Sequence, residues 1–288
     1  MDNYLTVFRN ELGKQLVFEA YDSIINSTGI QFEEIYLPTR IGETHILASG
    51  DKKNPPLILI HAYYASAASW YKNLKLLSDS FRVYNVDIIG DPNKSKPIKL
   101  IRQLDDFLEW FDDIMDGLNL VNADFIGNSV GAFHIANLAL HSPGRINKMV
   151  LIGPAATFRQ IMPFYLNTFP GGITGWSFLV KHAIKWIENG VEFDHEFKKL
   201  FFLLLKYGKA TNQVFPAVFK DDDLKKIKTP TLLIYGDREN IYDYNLAIIR
   251  AKEHIENLKV RVIKKGNHIT AATNHEMINK ELLDFLKD

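Results

Sequence analysis

The sequence contains no cysteine. Disulfides, thiolate nucleophiles and cysteine-ligated metals are therefore excluded. It also lacks an excess of charge of either sign: 34 Lys and Arg balance 34 Asp and Glu. That balance argues against nucleic acid or an anionic membrane surface as the main partner. No apolar run approaches the ~20 residues needed to span a bilayer, and FFLLL at 201–205 is far too short. The amino terminus, MDNYLTVFRNELGK, lacks the basic then apolar regions of a secretory signal. The expectation is a soluble, cytoplasmic protein. No internal repeat or low-complexity linker is evident. With 47% hydrophobic residues in 288, the chain has ample material for one large core and little room for two full domains.

Apolar residues at helical spacing over 4–27 (Leu5, Phe8, Leu12, Leu16, Tyr21, Ile24) predict an amino-terminal helical extension. FEEIYLP and THILASG, joined by TRIGE, read as a β-hairpin. Short apolar strands then follow at 57–61, 81–87, 123–127, 147–153, 231–236 and 258–264, separated by helical patterns at 98–118, 131–141 and 243–257. Strands without strict alternation, spaced by helices, are what a parallel sheet covered on both faces requires. From about 155 to 219 the rhythm breaks. This stretch is rich in Phe, Tyr and Trp, and Pro163, Pro170, Gly171, Gly172 and Gly175 predict only short helices and loops. Its position between two strands of a regular alternation favours a helical lid over extra packing helices.

Strand 123–127 runs into Gly127-Asn128-Ser129-Val130-Gly131, and a helical pattern follows. That context suits a nucleophile elbow, in which a sharp turn lifts a serine hydroxyl to the top of the sheet. A serine needs a base. Of nine histidines, His268 in KKGNH follows the last strand at its carboxyl end, where open α/β sheets place ligands. The base in turn needs a carboxylate, and YGDRENIYD offers Asp237, Glu239 and Asp243. Glu239 is placed to bend back toward His268, whereas Asp243 suits a helix N-cap; both remain candidates. Ser129, Glu239 and His268 fall in the chain order of the α/β-hydrolase arrangement.

With these residues in view, the chain resembles the α/β-hydrolase superfamily over nearly its whole length after the first helix. LILIHAYYASAASW matches the family's strand and oxyanion loop, VDIIGDPNKS its Asp-x-x-Gly…Ser loop, and PTLLIYGDREN and KKGNH its acid and histidine segments. IGETHILASG and VDIIGDPNKS further resemble hydrolases of low-GC Gram-positive bacteria of the carboxylesterase kind. The resemblance implies an α/β-hydrolase fold: a mostly parallel sheet covered by helices on both faces, with a helical cap. Residues 1–154 and 220–288 would form the core and 155–219 the cap. It implies attack by Ser129, with the backbone amides of Val130 and Tyr63 holding the oxyanion. His61, Ala62, Asn128, Phe158 and Trp176 would bind substrate. Two positions depart from the family pattern: Glu239, where aspartate is usual, and His61-Ala62, where His-Gly is usual. Alanine disfavours positive φ. Serine at the elbow excludes the members with an aspartate nucleophile.

No dinucleotide fingerprint, phosphate loop or metal-ligand spacing is present, so no cofactor and no metal are expected. The expected reaction is hydrolysis of a small apolar carboxylic ester. The alternatives are a C–C bond hydrolase, a lactonase or a cofactor-free perhydrolase using the same three residues, and a ligand sensor on the same fold.

Overall fold

In the computed structural model, residues 4–209 and 211–288 are described. Nine strands form one sheet: β1 (Glu33–Thr39), β2 (Gly42–Ser49), β3 (Pro56–Ile60), β4 (Arg82–Val86), β5 (Lys96–Pro97), β6 (Ala123–Asn128), β7 (Ile146–Ile152), β8 (Thr231–Gly236) and β9 (Leu258–Ile263). Their spatial order is β1-β2-β4-β3-β6-β7-β8-β9, with β5 paired to β2. The β1–β2 hairpin is antiparallel, as TRIGE implied, and β2 joins β4 antiparallel. From β4 to β9 every pairing is parallel.

Alternate strand residues feed two separate cores, one on each face of the sheet. Ile58, Ile60, Phe125, Met149 and Leu233 pack under α3 (Leu104–Gly117), α4 (Val130–His141), α8 (Asp221–Lys226) and α9 (Tyr244–His254). Leu57, Leu59, Ile126, Val150 and Leu232 pack under α1 (Glu11–Ser27), α2 (Tyr71–Ser78) and α11 (His275–Lys287). A strand covered on both sides has no polar face, which is why the sequence shows continuous apolar runs there. Among the described residues, no helix is long and apolar enough to cross a membrane.

Helix boundaries differ from the sequence expectation where side chains cap the backbone. The first helix starts at Glu11, because Asn10 caps it by accepting from the Gly13 amide at 2.7 Å. The residues before it run extended instead: Phe8 bridges Gly208, and Leu5 donates to the Pro97 carbonyl. Helix α3 starts only at Leu104, where the Asp106 carboxylate accepts from the Arg102 and Gln103 amides. Asp243 caps α9 through the Asn245 and Leu246 amides.

Three of the four helices between β7 and β8 lie within residues 155–219, ahead of α8: α5 (Met162–Thr174), α6 (Ser177–Glu188) and α7 (His195–Tyr207). They are longer than the prolines and glycines suggested. Pro163 sits in the first turn of α5, where its missing N–H costs nothing. Helix α5 continues through Pro170, Gly171 and Gly172, and ends where Gly175 takes φ +67°. The two interior glycines permit close approach. A Cβ on Gly171 would lie 3.0 Å from the Leu179 carbonyl, and one on Gly172 would lie 3.1 Å from the Tyr64 ring. A short helix, α10 (Thr270–Thr273), precedes α11.

Candidate active site

The parallel register brings the carboxyl ends of β3, β6, β7 and β8 level, with Ile60 opposite Gly127 and Asn128 opposite Ile152. The loops leaving these ends converge. Ser129 sits between β6 and α4 at φ +54°, ψ −113°, a conformation L-residues rarely adopt. Three backbone bonds hold it there. Its amide donates to Ile152, and its carbonyl accepts from Phe133 and Ala155. The flanking glycines are required by contact: a Cβ on Gly127 would lie 2.6 Å from the Ala132 amide nitrogen, and one on Gly131 would lie 2.4 Å from the Ile60 carbonyl oxygen. The Asn128 side chain ties this turn to the β9 loop, donating to the Ile152 and His268 carbonyls.

His268 and Glu239 are paired, with Nδ1 2.7 Å from Oε2, and both side chains are buried. The other carboxylate oxygen, Oε1, accepts from the Asn240 and Ile241 amides at 3.0 Å each. Glu239 is thus an acceptor on both oxygens, which fixes an Nδ1–H imidazole and leaves Nε2 as the basic nitrogen. That Nε2 is buried without a hydrogen-bond partner among the described residues, and His268 lines the same cavity as Ser129. Asp243 is occupied as an N-cap and makes no bond to His268. Asn267, which the sequence reading passed over, anchors the histidine loop. Its amide donates to the Glu188 and Val191 carbonyls, and its oxygen accepts from Ile269 and Thr273.

Val130 is the first residue of α4, so its amide has no carbonyl one turn earlier to bond. Tyr63, on the loop after β3, lines the cavities beside Ser129. The left-handed residue in that loop is Tyr64, at φ +52°, and not Ala62. Alanine in place of glycine is therefore accommodated: the turn closes with the Ala65 amide on the Ala62 carbonyl. Tyr64 is held in turn by its hydroxyl, which donates to Gly172 of α5.

Of the expected substrate-binding residues, Ala62 and Asn128 line a cavity at Ser129, while His61, Phe158 and Trp176 line neither of the two. His61 is fully buried and braces the loop, with Nδ1 on the Ala62 carbonyl and Nε2 accepting from the Ile88 amide. Burial holds its pKa below the usual histidine value, in keeping with a neutral ring that donates once and accepts once. Phe158 belongs to the core under the sheet, because the chain turns inward after β7 before reaching α5. Trp176 precedes α6 and is 60% exposed, packed against Phe178 on the outer surface.

Among the described residues, two cavities adjoin Ser129. Tyr63, Ser129, Phe164 and Phe169 border both, so the serine lies where they meet. The first runs between α4, α5 and the segment 212–216, and Asp91, His134 and Asn212 are on its wall. The second runs beneath α5, α6 and α7 and carries His268, Thr168, Phe197 and Leu205. Among the described residues, no group of three His, Asp or Glu side chains is arranged to hold a metal ion.

A serine on a strained strand-to-helix turn, a buried Glu–His pair from the ends of the second and third strands beyond it, and a parallel sheet in this order define a hydrolase architecture. Residues 55–183 match the family described as alpha/beta hydrolase fold. Carboxylesterase YbfK of Bacillus subtilis (strain 168) is 36% identical over 284 residues, covering 93% of each chain. The crystal structure of naproxen esterase (carboxylesterase NP) from Bacillus subtilis superposes with a TM-score of 0.90 at 29% identity, covering 96% of this chain and 99% of that one. The crystal structure of carboxylesterase CesB (YbfK) from Bacillus subtilis gives the same TM-score at 33% identity, covering 96% and 98%. The chain belongs to the α/β-hydrolase family and is carboxylesterase-like.

Proposed function

We propose that the protein hydrolyses carboxylic esters, with one arm of the substrate in each of two largely apolar cavities, through Ser129, His268 and Glu239 and a covalent acyl-enzyme. The observation that carries this reading is the position of Ser129, at the junction of two apolar cavities with the Glu239-paired imidazole on one of them. The carboxylesterase names of its relatives point the same way.

Ser129 Oγ attacks the ester carbonyl carbon while His268 Nε2 takes the hydroxyl proton. Glu239 holds the tautomer and offsets the charge of the imidazolium. The negative oxygen of the tetrahedral intermediate faces the Val130 and Tyr63 amides; losing one such donor costs about 3–4 kcal/mol of transition-state stabilisation in comparable sites. His268 then hands its proton to the alcohol oxygen, and the ester C–O bond breaks. A water, deprotonated by His268, attacks the acyl-enzyme, and the acid leaves as Ser129 regains its proton. Because the alcohol oxygen must face His268, the alcohol occupies the second cavity and the acyl group the first.

Residues 155–219 act as a cap on the core formed by 1–154 and 220–288. Phe164 and Phe169 of α5 border both cavities, so the helix that covers the site also shapes both arms of the substrate. C–C bond hydrolysis of ring-fission products is less well supported. Such substrates carry a carboxylate, and the cap cations Arg159 and Lys181 line other depressions, away from Ser129.

The test combines labelling with turnover. A fluorophosphonate adduct located on Ser129 by mass spectrometry, together with hydrolysis of p-nitrophenyl acetate, supports the reading. Neither labelling nor hydrolysis would sink it and favour a sensor.

A further inference from the structure

The first cavity has an apolar and aromatic wall with a polar end. Asp91, on the loop after β4, is 1% exposed and borders it together with Asn212 and His134. The loop is built to hold this carboxyl there. Gly90 takes φ +92°, and Asp91 and Asn93 close tight backbone turns onto Ile88 and Asp91. The segment after α7 docks on the same glycine, with the Thr211 amide and hydroxyl both donating to the Gly90 carbonyl. A Cβ at Gly90 would sit 2.4 Å from Asn212 Oδ1, so glycine is what lets Asn212 reach Asp91.

The polar groups so assembled are poorly satisfied by one another. Asn212 Nδ2 reaches Asp91 Oδ1 only at 3.4 Å. Asn212 Oδ1 and His134 Nδ1 are buried with no hydrogen-bond partner among the described residues. His134 stacks on Phe107 at 3.7 Å, and burial pushes its pKa down to about 3, so the ring is neutral. Burial, reinforced by the charge of nearby Asp87, raises the Asp91 carboxyl well above its ordinary range. Native interiors rarely leave buried polar atoms such as Asn212 Oδ1 and His134 Nδ1 unmet, and where they do, a missing partner is the ordinary reason.

We propose that this cavity is a subsite for an acyl chain ending in a hydrogen-bond donor, a hydroxyl or an amine, received by Asp91 and Asn212. The inference rests on the ester-hydrolase reading and adds the class of acyl group. An all-methylene chain fits the aromatic walls but leaves Asn212 Oδ1 at the end dry and unpaired. A terminal carboxylate must be stripped of water in this buried end, against the charge of nearby Asp87, and is rejected. A hydroxyl donates to Asp91 or Asn212. An amine donates likewise, and as an ammonium it also gains from the faces of Phe164, Tyr165, Phe169 and Phe215 on the same wall. Asp91 is thus a specificity residue remote from the bond that breaks.

The experiment uses straight-chain p-nitrophenyl esters of increasing acyl length, each ending in methyl, hydroxyl, amine or carboxylate, on the wild type and on Asp91→Asn and Asp91→Leu. The readout is the ratio of kcat/KM between end groups within each variant, which cancels any loss of folded or active protein. At the matching length, the wild type is expected to favour a donor-ended chain over the methyl-ended chain of equal length by about tenfold or more, with the carboxylate slowest. Asp91→Leu reverses the preference in favour of methyl, and the hydroxyl and amine arms separate the two donors. A methyl preference at every length in the wild type, or the same hydroxyl-to-methyl ratio in wild type and Asp91→Leu, overturns the subsite. p-Nitrophenyl acetate, too short to reach Asp91, keeps the two readings apart. Acetate hydrolysis with no donor preference defeats the subsite alone, whereas no acetate hydrolysis and no Ser129 labelling defeats the ester-hydrolase reading itself.

Discussion

Gly153 lies against both members of the Glu239–His268 pair: a Cβ on it would be 3.1 Å from His268 Nδ1 and 3.3 Å from Glu239 Oε2. It does so at φ +51°, immediately after β7, with its amide bonded to Ile234 of β8. The residue therefore fills two requirements at once, a left-handed turn and room for the imidazole–carboxylate contact. Gly153→Ala is expected to cost roughly 1–2 kcal/mol in backbone strain and to push the imidazole away from its carboxylate. The loss should appear mainly in kcat, with KM for p-nitrophenyl esters little changed. An equal rise in KM, or no change in either constant, would contradict this placement.

Two carboxylates near the end of β8 compete on paper for the role of acid, and they are expected to separate cleanly. Glu239→Gln leaves an amide where the imidazole N–H needs an acceptor, and kcat should fall by roughly 10³–10⁴-fold. Asp243→Ala removes only the cap of α9. It should lower stability by about 1 kcal/mol and leave kcat near the wild-type value. Steady-state kinetics beside thermal melts distinguish them, and the opposite pattern would reassign the acid.

How much of this was legible in the sequence depends on the range of the signal. The strands and the Ser129, Glu239, His268 order were readable because each rests on a local pattern: an apolar run, a turn glycine, a strand end. The hairpin and the capping role of Asp243 were readable for the same reason. The aromatic cap residues were not. Phe158 and Trp176 have the same apolar character as Phe164 and Phe169, yet one is in the core and one in solvent, since only the packing of α5 decides which ring faces Ser129. Helix α5 itself looked broken because Pro170, Gly171 and Gly172 carry a local helix-breaking signal. Contacts with Leu179 and Tyr64 explain why small residues sit there. Asp91 gave no signal at all: a carboxylate in a glycine-containing loop normally faces water.

Asp124 offers a test of stability against pH away from the site. It sits on β6 at 8% exposure, and burial, partly offset by Lys148, raises its pKa to about 6. Below about pH 4 the carboxyl is protonated whether the chain is folded or not. Between that range and pH 6 the folded protein holds the proton longer than the unfolded chain, so stability declines as pH rises. A shift of about two units corresponds to a cost on the order of 3 kcal/mol once pH exceeds 6. Asp124→Asn imitates the protonated form. It should raise Tm at pH 8 and leave it unchanged near pH 4, and a stabilisation of equal size at both pH values would show that the charge is not the cause.

The amino-terminal segment reaches the cap through Arg9. Its guanidinium donates to the Gly172 and Ile173 carbonyls at 2.7 and 2.6 Å, at the carboxyl end of α5, where a cation is favoured by the helix dipole. The same Gly172 carbonyl accepts from Tyr64 of the loop after β3. Backbone bonds from Arg9 to Tyr207 and from Lys209 to Val7 lash this segment to the end of α7. The amino terminus thus fastens α5 and α7, which wall the second cavity. Arg9→Ala removes the charged donor and keeps the backbone bonds, so the fold should survive with a loss of about 1–3 kcal/mol confined to the docking of α5. Amide hydrogen exchange should quicken in α5 and not in β6 or β7. For p-nitrophenyl esters KM should rise several-fold, because the aromatic wall of both cavities is less often in place, while Ser129 still labels with a fluorophosphonate. Unchanged exchange in α5 would mean that Tyr64 and the helix packing hold the cap without Arg9.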